Sequence, residues 1–129
     1  MNTRHFHDLV VRQRSMELAR RVYALTAEFP KSELFGLSSQ LRRAAVSLPS
    51  NIAEGHGRLT DKGFAVFLGQ ARGSLYEMQT QIELAGDLGF LSPENAQTLM
   101  SEAVDIARLL NGLLGAVRST SDRTVPNLR

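Results

Sequence analysis

Apolar residues recur along this chain with a helical period, and no stretch alternates convincingly as a strand would. The first periodic segment runs from about Asp8 to Phe29, with Val11, Leu18, Val22, Leu25 and Phe29 on one stripe. Pro30 closes it, because proline donates no backbone hydrogen bond and disfavours helix in the residue before it. The second segment, Ser38 to Glu54, stacks Leu41, Ala44, Ala45, Leu48 and Ile52, and Gly55 and Gly57 are expected to end it. The third, Asp61 to Leu88, follows Thr60 as N-cap and is the cleanest: Phe64, Leu68, Ala71, Leu75, Met78, Ile82 and Ala85 alternate spacings of four and three. Gly89 then serves as a C-cap.

Ser92 caps a fourth helix, with Pro93 at its first position and Glu94 at the positive end of the dipole. Its apolar pattern ends at about Val117. Four long helices on short connections predict an all-α, antiparallel up-down-up-down four-helix bundle. A three-helix bundle is the alternative if Pro49 breaks the second helix, but the apolar phase continues through Leu48 to Ile52, so Pro49 reads as a kink. Residues 1–118 are expected to form one domain and residues 119–129 a flexible polar tail.

The chain of 129 residues and 14.2 kDa suits a single domain that buries about two-thirds of its unfolded surface. Cysteine is absent, which excludes disulfides, thiol catalysis and thiolate zinc sites. No apolar run approaches the ~18 residues of a membrane helix and no secretory signal opens the chain, so no membrane contact and a cytoplasmic location are expected.

The fourth helix is unusually apolar: from Ile106 to Val117 only Arg108, Asn111 and two glycines interrupt aliphatic residues. A helix apolar nearly all round is buried on more than one side, and a second copy of the chain is the simplest cover. The alternative is a frayed end shielded by the tail. Gln40, Arg43, Ser47, Asn51 and Glu54 form a polar stripe beside the second helix's apolar seam, matched on the third by Gln70, Ser74, Glu77 and Gln81. Two such stripes can meet as a hydrogen-bonded interface, with Arg43 or Arg42 pairing Glu77, or they are ordinary solvated faces. Gly69 and Gly73 would let another backbone approach closely.

Catalytic signals are weak. His5, His7 and Asp8 are too few for a metal site, and no nucleophile–base pair stands out. Glu54, Glu77 and Glu83 lack the Glu-x-x-His pattern of di-metal bundles. The loop Gly55-His56-Gly57-Arg58 suits either an anion or a tight helix–helix turn. No enzyme, metal or cofactor is expected. Residues 1–62 hold ten basic and six acidic groups, residues 63–129 five and seven, and 13 of the 15 cations are arginine. Arg14, Arg21, Arg42, Arg43 and Arg58 are therefore candidates for a nucleic-acid-binding face, against the alternative that they pair with nearby carboxylates.

The segments FPKSELFGLSSQLRRAAVSLPSNIAEGHGR and FLGQARGSLYEMQTQIELAGDLGFL carry a resemblance. They are similar to the four-helix bundle proteins first noticed as reading frames inside intervening sequences of bacterial large-subunit rRNA genes. The likeness covers about Leu9 to Val117, and Gln40, Arg42, Arg43, Ser47, Asn51, Glu54, Gly55, Gly73, Ser74 and Glu77 match recurring positions. It implies a cytoplasmic, antiparallel bundle assembling as a ring-shaped homopentamer, with no catalytic residues to carry over. A more distant resemblance, to accessory proteins of diversity-generating retroelements, implies RNA or a nucleic-acid-processing protein as partner. A net charge of only +2 departs from that second pattern.

Overall fold

The computed structural model describes the backbone of residues 3–124 and the side chains of residues 8–119. Among the described residues there are four long helices and no strand: α1 (Thr3–Thr26), α2 (Leu37–His56), α3 (Asp61–Asp87) and α4 (Pro93–Thr124), with a short 3-10 turn at Lys31–Glu33. Each long helix packs on its neighbours in the chain and α1 closes against α4, while the backbones of the diagonal pairs stay farther apart. The result is a four-helix bundle with one contiguous apolar core.

The helix ends follow local chemistry. At Thr26 the side-chain hydroxyl donates to the Val22 carbonyl at 2.7 Å, and the next amides fold back in tight turns that still bury Phe29 ahead of Pro30. α1 therefore stops three residues before the predicted Phe29, without losing its core contact. Thr60 caps α3 as predicted, its Oγ1 accepting from the Gly63 amide at 3.0 Å. The other end of α3 closes in a Schellman motif: Phe90 N–H reaches the Ala85 carbonyl at 2.9 Å and Gly89 N–H the Gly86 carbonyl at 3.1 Å. That turn places Gly89 at φ +78°, in the left-handed region. Ser92 caps α4 by accepting from the Asn95 amide at 3.1 Å.

α2 runs through the buried Pro49, as the continuing apolar phase predicts, which removes the three-helix alternative. Two expectations about helix ends are corrected. Gly55 does not end α2, which continues to His56; a Cβ at Gly55 would lie 2.7 Å from Phe64 Cδ1, so this glycine lets α3 come close. α4 extends past Val117 to Thr124, with neither Gly nor Pro in between to stop it. The remainder of the expected tail, residues 125–129, lies outside the described residues.

α4 also bears on the argument for assembly. Ile106, Ala107, Leu110, Leu113, Leu114 and Val117 are all buried inside a single subunit. α1 covers one side of the helix and α3 the other, so a broad apolar arc is satisfied without a second copy. The surplus of apolar surface is elsewhere. Leu9, Met16 and Tyr23 on α1, Phe35 before α2, Val46 on α2 and Val66, Tyr76, Leu84 and Leu88 around α3 are large apolar residues left exposed.

Candidate assembly site

The two polar stripes meet inside one subunit, along the seam between α2 and α3. Ser74 Oγ donates to Ser47 Oγ at 2.8 Å, and Asn51 Nδ2 donates to the Ser47 carbonyl at 2.9 Å and to its Oγ at 3.0 Å. Beside this chain of hydrogen bonds lies an open groove of about 440 Å³ lined by Gln40, Arg43, Ala44, Ser47, Ser74, Glu77 and Gln81. Gln81 Oε1 is buried there without a hydrogen-bond partner. The expected Arg43–Glu77 pair does not form within the subunit: both side chains line the groove, and among the described residues neither makes an ion pair.

The other residues of the predicted site are elsewhere. Glu54 sits at the far end of α2 and pairs with Arg58 at 3.1 Å. Gly73, like Gly69, faces away from the core, where an added Cβ would meet nothing within 4 Å.

The candidate nucleic-acid arginines do not share one free face. Arg21 pairs with Glu102 at 2.9 Å and Arg14 with Asp105 at 3.8 Å, both across to α4. Arg58 is held by Glu54 and lies 4.3 Å over the Phe67 ring. Arg42 Nε donates to Thr26 Oγ1 at 2.7 Å, with its guanidinium 4.9 Å from the Tyr23 ring centroid. Only Arg43 of this set is without a partner among the described residues. The anion-loop candidate is likewise engaged, since His56 packs on Phe64 at 5.1 Å and places Nε2 3.6 Å from the buried Asp8 carboxylate. His5 and His7 fall outside the described side chains; among the described residues no cluster able to hold a metal ion is present.

One surface was not anticipated. Three contiguous hollows of about 770, 330 and 230 Å³ run along the α1–α2 face, linked by shared Val46 and by shared Arg12 and Ala53. Leu9, Met16 and Tyr23 line it from α1, and the 93% exposed Phe35 stands at one end. The seven-residue spacing of Leu9, Met16 and Tyr23, one stripe over from the core positions, was its sequence signal.

Fold and seam together define an all-α, four-helix-bundle protein whose α2 and α3 are joined by a polar seam. The chain belongs to the 23S rRNA-intervening sequence protein family, which it matches over residues 7–112. It is also similar to a crystal structure from Bacteroides thetaiotaomicron VPI-5482, described as a protein with unknown function from the S23 ribosomal protein family. The two are 24% identical with a TM-score of 0.79, over 84% of this chain and 98% of the other, which establishes a common fold. No curated protein matches the chain. No helix among the described residues is long and apolar enough to cross a membrane.

Proposed function

We propose that this protein is a non-enzymatic assembly protein: an antiparallel bundle whose copies join into a ring, five in number by the family resemblance, that presents a surface to a partner. The antiparallel order is supported by contacts whose numbering runs in opposite directions, Gly55 beside Phe64 but Ser47 beside Ser74, and Arg14 beside Asp105 but Arg21 beside Glu102.

The observation that carries the assembly reading is the α2–α3 groove. It holds an arginine and a glutamate, each without an ionic partner among the described residues, next to a buried amide oxygen lacking a donor. A buried acceptor left unsatisfied costs about 1–3 kcal/mol, and a neighbouring copy can supply donor and counter-charges together. In this reading Arg43 of one copy meets Glu77 of the next. The nucleic-acid reading has less support, because three of its five arginines are ion-paired within the subunit and Arg42 is tethered to Thr26 by a hydrogen bond to a neutral group. Light scattering on the purified chain tests the assembly, and native mass spectrometry counts its copies. A single-chain mass at micromolar concentration would overturn the proposal.

A further inference from the structure

The α1–α2 hollow and the outer face of α3 are opposites in charge and alike in apolar character. Arg12, Arg42 and Arg43 line the hollow, and among the described residues none of the three forms an ion pair; Arg42 leans only on neutral groups. Among the described residues that line it, Asp8 is the one carboxylate, and it is buried and faces His56. On the second half of α3 the balance reverses. Glu77, Glu83 and Asp87 are exposed and make no ion pair among the described residues, and no basic residue occurs from Gly73 to Ala107.

The same stretch exposes Tyr76, Leu84 and Leu88. At 100° per residue Gly73, Glu77, Thr80 and Leu84 fall on the side of α3 opposite its buried seam. The two surfaces are centred on different helices and adjoin only at the α2–α3 groove, where Arg43 of the hollow and Glu77 of the α3 face both lie; the apolar parts, Met16 and Val46 on one and Tyr76, Leu84 and Leu88 on the other, are separate.

Resting on the assembly reading above, we infer that the contact between copies is head-to-tail: the basic, apolar α1–α2 hollow of one copy receives the acidic, apolar outer face of α3 from the next. Apolar residues on both sides leave water together, and the unpaired arginines meet the unpaired carboxylates. The open space beside Gly73 lets the incoming helix settle close. A contact between two different faces repeats from copy to copy and closes into a ring when the rotation permits, whereas a two-fold contact stops at a dimer.

The test blocks one face at a time. Val46→Glu places a carboxylate in the hollow, and Gly73→Lys places a long cation on the α3 face where the subunit has room for it. Each variant alone is expected to run as a single chain by light scattering at a concentration where the wild type is assembled. Mixed in equal amounts they are expected to associate again, as a dimer or, where the introduced carboxylate and ammonium pair with each other, as a larger alternating assembly, since each keeps the half that the other has lost. If both block assembly but the mixture stays single-chain, the head-to-tail geometry is wrong. If the wild type assembles and both variants still assemble fully, these faces are not the interface, while the assembly reading stands. A monomeric wild type overturns that reading and this inference with it. Should either variant lack the wild-type helical circular dichroism, Met16→Glu and Leu84→Lys replace the pair under the same criteria.

Discussion

Ser47 and Ser74, 27 residues apart in the chain, are joined hydroxyl to hydroxyl at 2.8 Å across the α2–α3 seam. Asn51 fastens the same Ser47 from one helical turn away, so Ser47 is the centre of the chain and Ser74 one end of it. Ser74→Ala is expected to cost about 1 kcal/mol in urea unfolding, and Ser47→Ala more, because Asn51 then loses an acceptor as well. The double variant should cost less than the sum of the singles, as befits residues in one network. Strict additivity would mean that the bond contributes nothing.

Three glycines predict three different outcomes. Alanine at Gly55 meets the Phe64 ring at 2.7 Å and should destabilise the fold by about 1–3 kcal/mol. Alanine at Gly89 must adopt φ +78° and should cost about 1–2 kcal/mol for a reason unrelated to packing. Alanine at Gly73 meets nothing and should stabilise the separated subunit by about 0.5–1 kcal/mol through helix propensity. Thermal or urea unfolding at dilutions where the mass is that of one chain reads all three.

Reversing the charges of the groove checks the pairing between copies. Arg43→Glu and Glu77→Arg should each weaken assembly while leaving the unfolding midpoint of the separated subunit nearly unchanged, since both residues are exposed. Combined in one chain they should restore assembly, because the attraction is re-established with its signs exchanged. Light scattering across a dilution series reads the effect. An oligomer indifferent to all three changes would refute the Arg43–Glu77 contact.

Binding to structured RNA separates the two functional readings. With Arg14, Arg21 and Arg58 held in ion pairs, affinity is expected to be no tighter than the about 10⁻⁴–10⁻⁶ M typical of non-specific contacts at physiological salt. Tighter binding that falls steeply with added salt would restore the nucleic-acid reading, because it reports counterions released by arginines now free to contact phosphate.

The seam of α3 was fully legible: all seven predicted residues from Phe64 to Ala85 are buried. Local rules sufficed there because helical period and capping depend on residues within four positions of one another. Gly55 was misread for the complementary reason. A glycine near a helix end suggests termination, and nothing local reveals the Phe64 ring that needs its missing side chain. The stripe from Gln40 to Asn51 was found as a polar face, but whether it met α3 in its own chain or another copy depended on helix order around the bundle.

The amino-acid order alone determined that this chain makes four helices, where most of them begin, and which stripe of each turns inward, since these follow from backbone hydrogen bonding and the removal of apolar groups from water. Only the tertiary structure decided that α4 is covered by α1 and α3, that Arg14 and Arg21 are taken up by carboxylates on α4, and that the uncovered apolar surface runs between α1 and α2. A side chain's charge and apolar area are properties of the residue. Whether they are already compensated is a property of its neighbours, and packing brings those neighbours together from distant parts of the chain.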